Sequence, residues 1–121
     1  MSFRVIQWLR DQFTDLPLVS KNLEGRIIIV TGANTGVGFD CAKHFLRMKP
    51  AKLILAVRSI EKGQSAALRM INETRETRYD VVEVWKLDLA SFASVQAFVQ
   101  RVETLPRLDI AVLNSAVAIG L

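Results

Sequence analysis

The chain reads Ile-Ile-Ile-Val at residues 27–30 and then Thr-Gly-Ala-Asn-Thr-Gly-Val-Gly at residues 31–38. A run of β-branched residues with no polar position is typical of a strand buried on both faces. Behind the glycines, apolar residues recur at helical spacing from Gly38 to Leu46. The glycines, spaced by four and two residues, therefore lie in the turn between a buried strand and the helix that follows it.

Strand and helix patterns alternate along the rest of the chain. The third strand carries Glu83 and Lys86, which give it the character of an edge strand. Ser91 is a good N-cap for the helix that follows this strand. Buried strands separated by single helices predict an α/β fold, a doubly wound parallel sheet of the Rossmann type, truncated here after its fourth strand. The predicted strands are 27–30, 53–57, 81–87 and 110–113.

Each predicted helix has one line of apolar residues that would face the sheet. In the first helix, Asp40, Lys43 and Arg47 fall on the opposite side. His44 lies among them, so we interpret it as a surface residue and not as a catalyst, and the lone Cys41 as a small packed residue. The apolar lines are Gly38, Cys41, Ala42, Phe45 and Leu46, then Gly63, Ala66, Ala67, Met70, Ile71 and Thr74, then Phe92, Val95, Phe98, Val99 and Val102.

The glycine-rich turn has the features that a diphosphate requires. A helix N-terminus offers free backbone N–H groups, and glycines keep side chains out of the approach. Gly32 permits a sharp turn out of the strand, Gly36 removes a Cβ where phosphate comes close, and Gly38 lets the helix pack on the sheet. No Lys-Ser or Lys-Thr follows the glycines, which excludes a Walker A loop. The side chains able to pin the loop are those of Thr31, Asn34 and Thr35.

The spacing T-G-x-x-x-G-x-G within Val30 to Gly38, with Val37 between the last two glycines, resembles the cofactor loop of the short-chain dehydrogenases/reductases. It is close to the retinol-dehydrogenase-like branch of that family. The resemblance covers about residues 22–120. It implies hydride transfer between a nicotinamide cofactor and an alcohol or carbonyl compound, such as a retinoid, a steroid or another small lipophile. Three further motifs match in order: Leu55 to Ser59, Lys86 to Leu89, and Leu108 to Asn114.

The residue after the second strand indicates which cofactor is bound. NAD enzymes usually have Asp or Glu there to accept hydrogen bonds from the ribose 2′-OH, whereas a guanidinium can bind the 2′-phosphate of NADP. This chain has Arg58, 20 residues beyond Gly38, and no acidic residue between Lys52 and Ile60. The sequence therefore predicts NADP, with NAD less favoured. The alternative is that Arg58 only ends the strand and points into solvent.

The resemblance assigns three more cofactor residues. Asp88 matches the family residue that hydrogen-bonds the adenine ring, and Leu89 lies beside it. The alternative role of Asp88 is that of a turn residue before the next helix. Asn114 matches the second Asn of the family's N-N-A-G segment, which lines the cofactor. The last position of that segment is Ala116, so a Cβ enters where the family keeps glycine.

The proton-transfer residues of the family are not among these 121 residues. The family uses a Tyr, a Lys four residues later and an upstream Ser, and the ammonium favours the phenolate. The one tyrosine is Tyr79, and residue 83 is Glu. We therefore expect no catalytic residue, no metal site and no turnover from this piece.

Two other interpretations remain. The first is a catalytically dead module that binds nucleotide or pairs with another subunit. The second is a methyltransferase, which is disfavoured because Arg58 stands where an acid would hold the ribose hydroxyls. The apolar ending at residues 116–121 indicates a shortened domain. An open fourth strand would then cause marginal stability or self-association through the sheet edge.

Composition places the chain among globular proteins, with 50% hydrophobic and 23% charged residues and a net charge of +4. Basic residues are scattered among acidic ones, as at residues 73–78, which indicates a solvated surface and no nucleic-acid partner. This balance of charges suits a small polyanionic ligand. The single cysteine excludes an intrachain disulfide.

We divide the chain into an N-terminal amphipathic segment, 1–20, and a partial dinucleotide-binding domain, 21–121. Phe3, Ile6 and Leu9 have roughly helical spacing, and the segment either docks on the domain or touches a membrane surface or a partner. No apolar run approaches the ~20 residues of a membrane span. We expect a cytoplasmic protein, with peripheral membrane contact as the alternative.

Overall fold

The computed structural model describes residues 23–34 and 36–112. Within them, four strands alternate with three helices. The predicted segment 1–20, Thr35 and Asn114 lie outside the described residues. The elements are β1 (Ile27–Thr31), α1 (Gly36–Arg47), β2 (Lys52–Val57), α2 (Ile60–Thr74), a 3-10 turn (Tyr79–Val81), β3 (Val82–Lys86), α3 (Phe92–Glu103) and β4 (Ile110–Val112).

The strands form one parallel sheet in the order β3-β2-β1-β4. Val30 on β1 lies between Leu55 on β2 and Val112 on β4. The chain therefore runs outward from β1 to β3 and then returns to the other side of β1. This order confirms the doubly wound α/β fold, and among the described strands β3 lies at the edge, as its charged residues predicted. The reversal between β1 and β4 is the place where such sheets bind ligands, at the carboxyl ends of their strands.

Two apolar layers cover the faces of the sheet. α1 and α2 pack on one face, where Phe45, Leu46 and Met70 are fully buried. α3 packs on the other face, where the rings of Trp85 and Phe98 meet edge to face with centroids 6.0 Å apart. Helices on both faces explain why β1 and β2 are apolar at nearly every position, since these two strands are buried along almost their whole length.

α2 lies very close to the sheet at Gly63. A Cβ at this position would lie 2.6 Å from Val57 Cγ2 and 2.6 Å from Val84 Cγ1. The helix begins at an N-cap, where Ser59 Oγ accepts a hydrogen bond from the Lys62 N–H at 3.3 Å. The missing side chain of Gly63 therefore fixes how closely α2 approaches β2 and β3.

The prediction for the last helix and the third strand was wrong in two details. Val81 belongs to the 3-10 turn, and β3 begins one residue later. On α3, Phe92 is 78% exposed and Val99 is 48% exposed, and no residue of this helix is buried. The helix leans on β3 with one side only, so only part of the predicted apolar line meets the sheet. The residues of that line that pack on the sheet are Val95, Phe98 and Val102.

Glu76 is a buried carboxylate at the amino ends of the strands, with 4% of the residue exposed. Its Oε1 accepts hydrogen bonds from the N–H groups of Thr77 and Arg78 at 2.9 and 3.0 Å. The Arg78 guanidinium donates to both carboxylate oxygens, and Lys49 Nζ lies 3.4 Å from Oε2. The hydrogen bonds from Arg78 lower the pKa of Glu76 to about 2. The interpretation of residues 73–78 as a solvated surface was therefore wrong for Glu76, because these donors replace its water.

Asp109 is a second carboxylate at this end of the sheet. Its Oδ2 accepts the Ile27 N–H at 2.9 Å, and its Oδ1 lies 3.1 Å from Arg26 Nη1 and 2.6 Å from Arg107 Nη2. The hydrogen bond from Arg107 is the main reason why the pKa of Asp109 falls to about 2. Glu76 and Asp109 thus close the amino ends of the strands with ion pairs.

Candidate functional site

The loop between β1 and α1 begins with a glycine in the left-handed region. Gly32 has φ 64°, and its N–H donates to Ala56 O on β2 at 2.9 Å. Gly36, the first residue of α1, has φ 57°, and a Cβ there would meet nothing within 4 Å. Gly38 is buried in the helix. The loop therefore turns sharply and leaves open space at the N-terminus of α1, as its glycines predicted.

The loop between β2 and α2 contributes a guanidinium. Arg58 directly follows β2 and is exposed, and Ser59 caps α2 behind it. Among residues 23–34 and 36–112, no carboxylate forms an ion pair with Arg58. Its charge is therefore available to an anion that binds at this end of the sheet.

The loop between β3 and α3 is a tight turn. The Leu87 N–H donates to Val57 O at 2.8 Å, which continues the sheet ladder by one residue. Asp88 Oδ1 then accepts the Ala90 N–H at 3.0 Å, and Asp88 O accepts the Ser91 N–H at 3.0 Å. Asp88 is thus a turn residue, which was the alternative prediction for it. The hydrogen bond within the turn occupies one of its two carboxylate oxygens.

These three loops border one cavity of about 270 Å³ at the carboxyl ends of β1, β2 and β3. It brings together five of the predicted cofactor residues from three separate parts of the sequence. The cavity holds one guanidinium and one carboxylate, so it offers both a donor group for an anion and an acceptor for an amine. Its lining residues are Gly32, Asn34, Ala56, Arg58, Leu87, Asp88, Leu89 and Ala90.

The other predicted residues that the structure describes lie outside the cavity. Gly36, Val37 and Gly38 form the first turn of α1 and do not line the cavity. Thr31 is buried, and its Oγ1 donates to Val112 O at 3.3 Å on β4. Thr31 therefore faces the opposite side of β1 from the cavity.

Three lining residues were not predicted as site residues: Ala56, Leu87 and Ala90. Ala56 is the small residue next to the end of β2, and its carbonyl accepts the Gly32 N–H. The signal available in the sequence was its size, since a small residue near the end of a strand leaves room for a ligand. Leu87 and Ala90 flank the predicted pair Asp88 and Leu89. This position beside predicted residues was the only feature of the sequence that could have indicated them.

Tyr79 does not belong to this site. It lies in the 3-10 turn before β3, at the opposite end of the strand from the cavity, and is 67% exposed. His44 is exposed on α1, as its place among charged residues predicted. Neither Tyr79 nor His44 therefore belongs to the site. The residues that line the cavity can bind and orient a ligand.

An apolar groove of about 350 Å³ lies on the α3 side of the sheet. Leu87 and Leu89 belong to both the groove and the cavity. The groove is bordered by α3 and by β1 and β4, and β4 has β1 as its strand neighbour within the described residues.

A parallel sheet with a glycine-rich first turn and a cavity at its carboxyl ends defines a dinucleotide-binding α/β domain. Comparison with known proteins identifies the particular family. The chain belongs to the short chain dehydrogenase family of oxidoreductases, which matches residues 26–120. Members of this family bind NAD or NADP, and the comparisons do not distinguish the retinol-dehydrogenase-like branch.

Individual relatives agree with this assignment. The chain is 46% identical over 111 residues to the short chain dehydrogenase opdN of Penicillium oxalicum, covering 91% of this chain and 35% of that protein. Menthone neomenthol reductase from Mentha piperita has a TM-score of 0.66 and 37% identity over 74% of this chain and 31% of its own. A short-chain dehydrogenase from Sphingobium yanoikuyae in complex with NADPH has a TM-score of 0.60 and 27% identity, covering 71% and 32%. The chain spans about a third of the length of the curated relatives that it matches.

Neither a membrane helix nor a metal site is found in the described part of the chain. No helix there is long and apolar enough to cross a bilayer. No group of three or more His, Cys, Asp or Glu side chains in that part is arranged to hold a metal ion.

Proposed function

We propose that this chain is the cofactor-binding part of an oxidoreductase that uses NADP(H) in preference to NAD(H). The observation that carries the proposal is the cavity that joins Gly32, Asn34, Arg58, Asp88 and Leu89 at the carboxyl ends of three strands. When bound, the nicotinamide donates or accepts the hydride, and the residues of this chain bind and orient the nucleotide.

Arg58 supports the preference for NADP. Its guanidinium is exposed beside the cavity and is not paired with a carboxylate of the described residues. A 2′-phosphate would accept two charge-assisted hydrogen bonds from it, whereas a ribose 2′-OH would gain little. The relative from Sphingobium yanoikuyae, solved in complex with NADPH, is consistent with this preference.

The remaining residues fit the rest of a dinucleotide. The N-terminus of α1, with open space at Gly36, suits the diphosphate. Asp88 keeps one carboxylate oxygen outside its turn hydrogen bond, and that oxygen is the acceptor that we assign to the adenine amine. The side chain of Leu89 offers an exposed apolar surface for the ring. Thr31, Thr35 and Asn114 remain predicted cofactor residues.

The substrate class that we propose is an alcohol or carbonyl compound of small lipophilic type.

The sequence of residues 1–121 has Tyr79 as its single tyrosine and Glu83 four residues later, so it lacks the family's Tyr-x-x-x-Lys. We infer that residues 1–121 by themselves bind nucleotide without turnover. Oxidation of NADPH by these residues with a panel of aldehydes and ketones would contradict this inference.

Subunit pairing is the second candidate function, and the apolar groove beside β4 favours it. A cytoplasmic location and a membrane contact through residues 1–20 also remain proposals.

The test of cofactor preference is the variant Arg58→Asp. Losing the guanidinium removes charge-assisted hydrogen bonds to phosphate, which amounts to about a ten- to hundredfold weaker binding of NADPH. Binding of NADH is expected to stay equal or to improve, because a carboxylate can accept hydrogen bonds from the 2′-OH. The measurement is a fluorescence titration of the 121-residue chain with each nucleotide.

Arg47→Asp is the matched control. It makes the same change in net charge, on an exposed residue in the last turn of α1, away from the cavity. We expect it to change the affinities for NADPH and NADH by similar small factors. Equal selectivity of the Arg58 and Arg47 variants would refute the role of Arg58.

A further inference from the structure

The turn that carries Asp88 and Leu89 is attached to α3 through a serine hydroxyl. After Leu87, whose N–H donates to β2, the Asp88 N–H has no strand carbonyl as its partner. It donates instead to Ser94 Oγ at 2.9 Å, six residues further along. Ser94 lies in the first turn of α3 and does not line the cavity.

The other hydrogen bonds of this turn fix its internal shape but not its place relative to the helix body. Asp88 Oδ1 bonds to the Ala90 N–H, and Asp88 O bonds to the Ser91 N–H. Both partners belong to the turn itself or to the cap of α3. The bond from Asp88 to Ser94 spans from the end of the sheet to the third residue of the helix. It therefore sets the direction in which the chain leaves the sheet.

Ser94 also contributes its backbone N–H to the helix cap, separately from its hydroxyl. Its N–H donates to Ser91 Oγ at 3.2 Å, the N-cap interaction of α3. α3 in turn packs on the sheet through Trp85, over which the Arg101 guanidinium lies at 4.2 Å. The position of the Asp88 backbone thus follows the position of α3.

We propose that Ser94 is a positioning residue for the nucleotide: by holding the Asp88 N–H, it keeps Asp88 and Leu89 at the wall of the cavity. This inference rests on the proposed function. Without the hydroxyl, the Asp88 N–H donates to water instead. The turn can then change its orientation relative to the end of β3. Binding then has to order the turn, and affinity for the adenine end of the cofactor falls.

The experiment compares three variants of the 121-residue chain: Ser94→Ala, Ser94→Thr and Ser91→Ala. Ser94→Thr keeps a hydroxyl and serves as the conservative rescue. Ser91→Ala is the matched control, because it also removes a serine hydroxyl from the start of α3 but leaves the Asp88 bond intact. Two quantities are measured: amide hydrogen exchange at Asp88 in the free chain, and affinity for adenosine 2′,5′-bisphosphate, which has the adenine and the 2′-phosphate but no nicotinamide.

We expect Ser94→Ala to speed exchange of the Asp88 amide and to weaken bisphosphate binding about fivefold, the size of one lost hydrogen bond. Ser94→Thr should behave like the natural chain in both measurements. Ser91→Ala should lower resistance to urea, since a helix cap is lost, while exchange at Asp88 and affinity stay unchanged.

Each other result overturns the inference in a recognisable way. Faster exchange in Ser94→Ala with unchanged affinity would show that the bond holds the turn without serving the nucleotide, and the proposed function would stand. Equal effects of Ser94→Ala and Ser91→Ala on affinity would show that Ser94 acts only through the cap of α3. Failure of the natural chain to bind the bisphosphate would remove the proposed function and this inference with it.

Discussion

The close approach of α2 to the sheet makes Gly63→Ala a sharp test of the packing. The new Cβ would lie 2.6 Å from a methyl group of Val57 and from one of Val84. Carbon atoms in contact are normally about 3.5–4.0 Å apart, so both contacts overlap by roughly 1 Å. Neither valine can turn away at low cost, because β-branched side chains have few χ1 choices. The helix therefore has to move away from β2 and β3.

Two opposing terms decide the sign of the effect. Replacing a helical glycine by alanine gains about 1 kcal/mol from helix propensity. Overpacking a core costs about 1–3 kcal/mol, and two simultaneous contacts on neighbouring strands place Gly63→Ala in the upper half of that range. The expected net effect is a loss of about 1–2 kcal/mol in the free energy of unfolding. Urea unfolding followed by far-ultraviolet circular dichroism gives this quantity.

Ser65→Ala on the same helix is the control, because Ser65 is exposed and only the propensity term applies. It should stabilise the chain by a few tenths of a kcal/mol. In a Val84→Ala background, the cost of Gly63→Ala should be smaller, since one of the two contacts is removed. If Gly63→Ala raised stability as Ser65→Ala does, α2 would lie further from the sheet than the structure has it.

Two further predictions concern the two ends of the sheet. Gly36→Ala should destabilise the fold by only about 1 kcal/mol, the cost of a positive φ, because its Cβ meets open space. It should weaken NADPH binding more than tenfold, because that space is where we place the diphosphate. A nucleotide titration measures the effect on binding, and urea unfolding of the same variant measures the effect on stability. Glu76, with a pKa lowered to about 2 when folded, stabilises the fold above its ordinary pKa of 4.5, and this contribution is lost as the pH falls from 4.5 toward 2. Since its partners Arg78 and Lys49 are 41% and 56% exposed, solvent screening reduces the contribution to roughly 2 kcal/mol. Urea midpoints measured between pH 6 and pH 3 should fall less steeply for Glu76→Gln than for the natural chain, and parallel slopes would contradict the assignment.

The architecture was predictable because its signals are local. Ile28, Val30 and Leu55 lie in runs that are apolar at every position, and only strands covered on both faces need such runs. The sharp turn at Gly32, which has a left-handed φ, also followed from sequence, since few other residues adopt this conformation at a turn. The N-cap role of Ser91 is confirmed for the same reason: its side chain acts within three residues of itself.

The details that failed depend on contacts between distant residues. Glu76 belongs to a run of alternating charges, and nothing in that run shows that Arg78 would also donate to Pro50 O and close the carboxylate off from water. Ala56 has no polar side-chain group, so only its small size could have indicated it, although its carbonyl accepts the hydrogen bond of the Gly32 turn. Gly63 was placed on the buried side of its helix, but the need for glycine appears only when Val57 and Val84 are brought beneath it.

The two ends of the sheet differ in how their charges are paired, and this difference supports the site that we propose. At the amino ends, Glu76 and Asp109 accept backbone N–H groups and are held by guanidinium groups, so little charge is left for a ligand. At the carboxyl ends, Arg58 is exposed beside a cavity and no described carboxylate is paired with it. An anion that binds there gains charge-assisted hydrogen bonds without breaking an existing ion pair, whereas at the amino ends it would have to displace a buried carboxylate. The free energy available for binding an anion is therefore concentrated at one end of the sheet, the same end at which the glycine turn opens the N-terminus of α1.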